Sequence, residues 1–304
     1  MKPELIIICG ATASGKSQLA LDVAKKLNTS IVYADSLAIY KDLNIGTAKP
    51  SKEEMKEVKH YLVDFVEPTS EFSVSDYEEY ALKAINEILS QNKPAIICGG
   101  TGFYINSILY KLSYGNVAKN EEIRKKYLKM ASEQGVQSVY DELLKVDSET
   151  ALKLHKNDVV RVVRALEIYY GTGKKKSLLN DKLEPRYSYV AVSIDMPRSV
   201  LYERINLRVD KMIENGLIQE VKGLIDRGIT IENQCMQGIG YKEIYDGLLS
   251  GNLSDAIEKI KLNSRHYAKR QITFFKRLEG LVNIDGKGDE LTNKVLELYN
   301  NYNN

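Results

Sequence analysis

Residues 10–17 read Gly10-Ala11-Thr12-Ala13-Ser14-Gly15-Lys16-Ser17, which matches the phosphate-binding pattern G-x-x-x-x-G-K-[ST]. An apolar run at 5–9 precedes the pattern and an amphipathic segment at 19–27 follows it, so the loop joins a predicted strand to a predicted helix. In that context the glycines let backbone N–H groups point inward, and the helix adds its positive N-terminus. Lys16 supplies a charge, and the Ser17 hydroxyl is predicted to ligate Mg²⁺. The sequence therefore predicts a site for a di- or triphosphate.

The bulk composition is that of a globular protein with room for a core and an insertion. The chain has 304 residues, 43% hydrophobic and 28% charged, with a formal net charge of +2. Residues 1–4 run directly into the first predicted strand, so no signal peptide is expected, and no apolar run is long enough to span a membrane. The three cysteines, Cys9, Cys98 and Cys235, form no C-x-x-C pair and have no histidine neighbours. We therefore expect no zinc site and a reducing compartment, the cytoplasm.

Charge is distributed unevenly along the chain. Acidic residues predominate in 42–80, whereas lysine and arginine predominate in 153–176 and 254–279. Both basic stretches have helical patterns, and each carries tyrosine and histidine among its cations. They are either solvated helix faces or binding surfaces for a polyanion.

The order of the predicted elements favours an α/β fold. Further strands are predicted at 31–34, 94–98, 189–194 and 281–284, with a possible strand at 61–65. The βαβ connection at the start of the chain is expected to be right-handed and parallel. Helices alone are predicted after about residue 115, at 121–134, 138–146, 148–154 and 158–170. We therefore predict a P-loop NTPase-like core with a mostly parallel sheet flanked by helices, residues 1–115 and 186–304. An all-helical insertion, residues 116–185, interrupts it.

Two predicted strands end in residues that can do chemistry. Asp35 follows the second strand, and the loop Gly99-Gly100-Thr101-Gly102 follows the strand at 94–98. Because ligands bind beyond the carboxyl ends of such strands, both belong to the predicted site. Asp35 is a candidate general base or metal-linked acid, or an N-cap for the residues that follow it. Thr101 offers a hydroxyl to a phosphate or to the acceptor.

Arg204 and Arg208 lie four residues apart on a predicted helix. They are either lid arginines that close over phosphates or an exposed helix face. No apolar strand ends in an acid in the manner of a Walker B motif, which argues against NTP hydrolysis. His60, His155 and His266 are isolated along the chain and are expected to be structural or surface residues.

The motifs, in this order, resemble the bacterial tRNA dimethylallyltransferases. The stretches are G-A-T-A-S-G-K-S at 10–17, A-D-S-L-A-I-Y-K at 34–41, N-I-G-T-A-K-P at 44–50, F-S-V-S-D-Y at 72–77, G-G-T-G-F-Y at 99–104, D-V-V-R-V-V-R-A-L-E at 158–167, R-V-D-K-M-I at 208–213, G-I-G-Y-K-E at 238–243 and R-H-Y-A-K-R-Q-I-T-F-F-K-R at 265–277. Together they span nearly the whole chain. Two departures are visible: Ala11 stands where the family usually has proline, and Tyr61 replaces one of a usual histidine pair.

The resemblance implies transfer of a dimethylallyl group from its diphosphate to N6 of the adenine just 3′ of the tRNA anticodon. It implies that residues 10–17 hold the diphosphate with Mg²⁺ and that no NTP is consumed, although the loop pattern alone is also that of nucleotide- and ATP-binding proteins. Asp35 becomes the base, Thr101 and Arg124 contact substrate, and Arg208 contacts the diphosphate. The implied tRNA contacts also include Asp35, Ser36, Leu37, Ala38, Asp158, Val159, Val160, Arg161 and Val162. The expected partner is the anticodon stem-loop of tRNA, and the expected state is a monomer.

Two other functions fit the phosphate loop. A small-molecule kinase of the shikimate- or adenylate-kinase type would use ATP and lid arginines, but it explains neither the two basic helices nor the missing Walker B acid. A phosphate-loop switch without catalysis would need nucleotide-sensing loops that this sequence lacks.

Overall fold

The computed structural model of the protein describes residues 2–112, 120–179 and 184–302. The chain forms two compact units, one of Met1–Leu109 with Pro185–Asn304 (the core unit) and one of Tyr110–Glu184 (the helical unit). The predicted boundary at 115/116 falls outside the described residues, and the helical unit begins earlier, at Tyr110. A hydrogen bond of 2.7 Å from the Arg186 N–H to the Leu109 carbonyl joins the segment that leaves the core unit to the segment that returns to it. Both segments therefore belong to the core unit up to this point.

The elements are as follows. The strands are β1 (Leu5–Cys9), β2 (Ile31–Ala34), β3 (His60–Tyr61), β4 (Ala95–Gly99), β5 (Tyr189–Ile194) and β6 (Leu281–Ile284). The helices are α1 (Lys16–Leu27), α2 (Lys52–Glu57), α3 (Val74–Leu89), α4 (Gly102–Leu109), α5 (Glu121–Gln134), α6 (Val136–Val146), α7 (Ser148–Leu152), α8 (Val159–Thr172), α9 (Arg198–Glu214), α10 (Leu217–Asp226), α11 (Tyr241–Ser250), α12 (Leu253–Phe275) and α13 (Asp289–Asn300). Within the described ranges, no helix combines the length and apolar composition that crossing a membrane requires.

Among the described residues the sheet has six strands in the order β3-β2-β4-β1-β5-β6, and every pair is parallel. Its central strands are continuous apolar runs because helices cover both faces, and β1, β2 and β4 are buried throughout. This confirms the predicted parallel sheet and the edge strand at 281–284. The strand predicted at 61–65 is wrong beyond Tyr61, since Leu62 (φ 63°) and Asp64 (φ 59°) adopt left-handed backbone that no strand contains.

The strand register sets the position of the site. Cys9 of β1 pairs with Gly99 of β4, which in turn pairs with Ala34 of β2. Three neighbouring strands therefore end at one level, and the segments that follow them meet at one edge of the sheet. These segments are the phosphate loop, the turn after Asp35 and the Gly99–Gly102 loop.

The helical unit has its own core, in line with the all-helical character predicted for it. Helices α5 to α8 enclose a cluster that includes Tyr127, Val139, Leu143 and Leu166. The helices α10 and α13 of the core unit were not predicted from the sequence.

Candidate active site

The phosphate loop contains backbone with positive φ, which glycine adopts more readily than other residues. Gly10 and Gly15 have φ of 126° and 102°, and Ala13 has φ of 61°. Gly15 is the N-cap of α1, so the helix N-terminus opens directly onto the loop. Lys16 bends back and donates from Nζ to the Ala11 carbonyl at 3.0 Å.

Lys16 is buried near two other charged side chains, Arg208 and Asp35. Burial lowers the pKa of Lys16; the charge of Arg208 acts in the same direction, and the charge of Asp35 opposes both. A bound anion would therefore stabilise a lysine charge that burial disfavours.

Ser17 is exposed, and its Oγ lies 3.0 Å from the Tyr33 hydroxyl. Within the described ranges no three His, Cys, Asp or Glu residues are grouped as metal ligands. One hydroxyl with a nearby carboxylate, Asp35, fits an ion held mostly by substrate phosphates and water, which is how Mg²⁺ is usually bound. The residues present are thus compatible with the Mg²⁺ that the motif predicts.

Asp35 caps the turn that follows it and keeps one oxygen available. Its Oδ1 accepts hydrogen bonds from the N–H groups of Leu37 (2.9 Å) and Ala38 (3.1 Å). Its Oδ2 takes no hydrogen bond from the described residues. The capping role considered from sequence is therefore present, and it fixes the orientation of a carboxylate that retains a second oxygen for chemistry.

Thr101 joins the end of β4 to the turn after β2. Its N–H donates to the Ala34 carbonyl at 3.1 Å, and its Oγ1 accepts from the Ser36 N–H at 3.1 Å. Two of the predicted site residues, Asp35 and Thr101, are thereby held against the same short turn.

Gln271 on α12 connects the phosphate loop to the glycine loop, and the sequence analysis did not identify it. Its Oε1 accepts from the Thr12 N–H at 2.8 Å, and its Nε2 donates to the Gly100 carbonyl at 3.0 Å. The side chain is 4% exposed. The only signal in the sequence is its place in the motif at 265–277, within a basic stretch that is predicted to be either a solvated helix face or a surface for a polyanion.

The two arginines on α9 both reach the phosphate loop region. Arg208 is half-buried and donates from Nη2 to the Thr47 carbonyl at 3.3 Å. Burial lowers the pKa of Arg208, and the charge of Asp35 opposes that shift. Arg204 is more exposed, and its Nη2 lies 3.6 Å from the position that a Cβ at Gly15 would take. Arg208 thus lies in the wall of the polar cavity, whereas Arg204 is exposed on the helix beside the loop. The lid role of the two arginines stays a prediction.

The segment 44–47 supplies the Thr47 carbonyl, and Glu220 on α10 binds its backbone N–H groups. The Glu220 carboxylate accepts from the N–H groups of Asn44 and Ile45, each at 2.9 Å, and of Gly46 at 3.2 Å. The Tyr241 hydroxyl donates to Glu220 at 2.6 Å. The motifs at 44–50 and 238–243 thus meet through a shared carboxylate.

Two cavities meet at this edge of the sheet. The polar one, about 50 Å³, includes Lys16 and Ser17 in its lining. The other, about 360 Å³, has an apolar wall that includes Ile205, Val209 and Met212. Both are lined by Thr12, Asp35, Thr47, Arg208 and Tyr267. The site therefore has a cationic end at the phosphate loop and an apolar chamber beside it, with Asp35 in the shared wall.

A second acid, Asp195, also comes directly after an apolar strand, β5. Its side chain is exposed, and Oδ1 accepts from the Met196 N–H at 3.0 Å. Asp195 lines a different cavity, one that includes Ser14 but not Lys16 or Ser17. It is therefore not positioned as a Walker B acid toward the predicted magnesium ligand.

Burial limits the predicted RNA contacts. Ala38 is fully buried and Val162 is 1% exposed, so neither side chain is available to an RNA. In the 158–162 stretch Val160 is 69% exposed, and Arg161 is exposed with its Nε 3.3 Å from Asp158.

Arg124 is bound within the helical unit. Its Nη2 lies 3.2 Å from the carboxylate of Glu167, which is fully buried. Arg164 lies 3.5 Å from the same carboxylate. Arg124 is thus anchored by an ion pair inside the helical unit.

These features define an α/β protein of the P-loop NTPase-like fold, with a site for a phosphorylated compound next to an apolar chamber. The chain belongs to the IPP transferase family, whose sequence model matches residues 38–278. It is 46% identical over 283 residues to a tRNA dimethylallyltransferase of a Thermoanaerobacter species, which covers 91% of this chain and 90% of that protein.

Solved structures agree with this assignment. A tRNA isopentenylpyrophosphate transferase from Bacillus halodurans is 39% identical, with a TM-score of 0.72, covering 98% of this chain and 94% of that one. A eukaryotic dimethylallyltransferase, described as acting on tRNA, is 29% identical with a TM-score of 0.83, covering 98% and 79%. The family membership supports the prenyl-transfer prediction and not the kinase alternative.

Proposed function

We propose that this protein transfers a dimethylallyl group from dimethylallyl diphosphate to N6 of the adenine that follows the anticodon of tRNA. The observation that carries the proposal is the junction of the two cavities. The cationic end would hold the diphosphate, the apolar chamber would take the five-carbon allylic group, and Asp35 lies in the wall common to both.

The cationic end would stabilise the leaving group. When the allylic C–O bond breaks, the bonding electrons remain on the diphosphate, so negative charge develops there. Lys16, Arg208 and the N-terminus of α1 lie at this end of the site and would stabilise that charge. Mg²⁺, held by Ser17 and the diphosphate, would supply further neutralisation of that charge.

Asp35 would act on the nucleophile. An exocyclic adenine amine is weakly nucleophilic, and a carboxylate that accepts its hydrogen bond assists attack on the allylic carbon. As the N6–C bond forms, the amine proton passes to Asp35. Because Oδ1 is held by the Leu37 and Ala38 N–H groups, Oδ2 is the oxygen available for that proton.

The apolar chamber would protect the allylic group. Ile205, Val209 and Met212 come from successive turns of α9 and present hydrocarbon to the chamber. Such a lining limits the water that would otherwise compete with adenine for the allylic carbon.

The RNA would be attracted by the cations of α12 that are not neutralised internally. Lys259 and Lys261 are paired with Asp255 and Asp210, at 2.6 and 2.8 Å. Lys269 and Arg270 are exposed and have no ion-pair partner within the described ranges. Cations of this kind supply most of the affinity for phosphates. The monomeric state and the cytoplasmic location stay predictions.

One experiment separates prenyl transfer from the kinase alternative. The protein is incubated with dimethylallyl diphosphate carrying label in the allyl group, or with ATP labelled in the γ-phosphate, with and without bulk tRNA. We expect allyl label in the tRNA, released on digestion as a modified adenosine, and no dependence on ATP. Movement of the γ-phosphate to a small molecule, with no label in tRNA, would overturn the proposal.

A further inference from the structure

Phe103 is a large apolar side chain that the core unit leaves in solvent. It is 61% exposed and lies two residues after Thr101, in the first turn of α4. Its ring is 5.6 Å from that of Phe274 on α12, at an interplanar angle of 59°. One exposed apolar residue is ordinary; an exposed ring in contact with a half-buried one, beside the active-site loop, is a candidate surface.

The base of this pair is rigid. The Phe274 ring lies over Gly102 so closely that any Cβ there would overlap it. Phe274 also meets the ring of Phe275, which is buried, at 5.5 Å and 79°. We call Phe103 and Phe274 the aromatic ledge; it is fixed to the same glycine loop that carries Thr101.

Cations flank the aromatic ledge, one on α12 and one just beyond the end of that helix at Phe275. Arg270 lies one turn before Phe274, and Arg277 lies three residues after it; both are exposed and have no ion-pair partner within the described ranges. Arg270 also lines the 360 Å³ cavity, and its guanidinium lies 5.7 Å from the Tyr267 ring. Aromatic faces interleaved with unpaired cations are the usual surface for single-stranded nucleic acid.

We propose that the aromatic ledge stacks a base of the anticodon loop adjacent to the target adenine. The inference rests on the function proposed above. An adenine that enters the cavity leaves its neighbours without a stacking partner, and the ledge replaces that partner close to Thr101. Arg270 and Arg277 then meet the phosphates on either side of the stacked base.

The test compares Phe103→Ala, Phe103→Trp and Leu249→Ala. Leu249 is 74% exposed on α11 and lies in neither cavity, so it controls for loss of an exposed apolar side chain. With an anticodon stem-loop RNA as substrate, Phe103→Ala should raise KM for the RNA about five- to thirtyfold. Its kcat and its KM for dimethylallyl diphosphate should change little. Phe103→Trp should restore the low KM, and Leu249→Ala should match the wild type.

A second measurement does not depend on transfer. Stem-loops carrying 2-aminopurine on either side of the target position are titrated with protein, and their fluorescence is recorded. Stacking on the ledge should quench one of the two probes with wild-type protein and with Phe103→Trp, but not with Phe103→Ala.

Three results would overturn the inference: an unchanged KM with unchanged quenching in Phe103→Ala, a loss confined to kcat, or a wild-type dimer that Phe103→Ala dissociates. The last would make the ledge a contact between two copies. Failure of the proposed function is a different result, in which wild-type protein transfers no label to tRNA at all.

Discussion

The Oε1 atom of Gln271 lies 2.8 Å from the backbone nitrogen of Thr12, a residue 259 positions earlier in the chain. One buried amide side chain thereby fixes a phosphate-loop N–H and, through Nε2, the Gly100 carbonyl. The long basic helix is therefore part of the active-site framework as well as a carrier of surface charge.

Gln271→Ala should lower both stability and substrate affinity. It leaves the Thr12 N–H and the Gly100 carbonyl without their partner, at a cost of about 1–3 kcal/mol in the free energy of unfolding. The KM for dimethylallyl diphosphate should rise, because the phosphate loop loses its support. Urea denaturation and steady-state kinetics measure the two effects. The control is Gln18→Ala, since Gln18 is exposed and its side chain donates to Asp22 on the surface of α1. Equal effects in both variants would contradict this role for Gln271.

Asp35→Asn should separate capping from catalysis. Asparagine retains an oxygen for the Leu37 and Ala38 N–H groups and caps as well as aspartate, but it cannot accept a proton. Turnover should fall by roughly 10²–10⁴-fold, the usual contribution of a positioned base. Equilibrium binding of tRNA and of dimethylallyl diphosphate should change only slightly. Near-normal turnover in this variant would reduce Asp35 to its capping role.

Lys16→Ala should abolish transfer and leave tRNA binding nearly intact. The Lys16 ammonium lies against the Ala11 carbonyl inside the phosphate loop, where it serves the diphosphate. Filter binding with labelled tRNA, beside a transfer assay, measures the two properties separately. A parallel loss of RNA affinity would argue that the loop also holds the nucleic acid.

As the pH rises, affinity for dimethylallyl diphosphate should begin to fall at a lower pH than it would if Lys16 had the pKa of an ordinary lysine. Burial lowers the pKa of Lys16 in the free protein, whereas the bound anion favours the charged form. Affinity is therefore full below the lowered pKa and declines as pH rises through it, with proton uptake on binding. The diphosphate does not confuse the result, because its last phosphate pKa lies near 6 and its charge therefore changes little at alkaline pH.

Calorimetric titration in buffers of different ionisation enthalpy measures this uptake. Lys16→Arg is the matched variant, since a guanidinium stays charged throughout this range. A decline of the same size in both proteins would assign the pH dependence to another group.

Neutralising the unpaired cations of α12 should weaken the salt dependence of tRNA binding. Lys269→Gln and Arg270→Gln should each reduce the slope of log K against log salt by about one unit for every phosphate that the cation neutralises in the wild type. Lys261→Gln is the control, because Lys261 is held by Asp210 and Glu258. If all three slopes equal that of the wild type, α12 presents an ordinary solvated face.

Arg161 and Arg164 of the helical unit should differ from each other in the same assay. Arg161 is exposed and pairs only loosely with Asp158 at 3.3 Å, so Arg161→Gln should also reduce the slope. Arg164 lies at 3.5 Å from the buried Glu167, so its replacement by glutamine should appear in the thermal denaturation of the protein. The reverse pattern would exchange the two assignments.

The sequence by itself determined the strands other than β3, the phosphate loop and the meeting of Asp35 with the Gly99–Gly102 loop. Each rests on local information. Continuous apolar runs are buried on both faces, the glycines and Lys16 define the loop, and parallel strands bring their carboxyl ends to one edge. The helical character of the insertion followed in the same way from periodicity.

The tertiary structure alone decided which groups complete the site. Gln271 meets Thr12, Glu220 meets the N–H groups at 44–46, and Arg208 meets the Thr47 carbonyl. The members of each pair are more than 150 positions apart. Glutamine, glutamate and arginine are also common on solvated helix faces, so their residue types alone do not indicate these contacts. A sequence pattern predicts local structure. A hydrogen bond between distant segments depends instead on how the helices pack against the sheet.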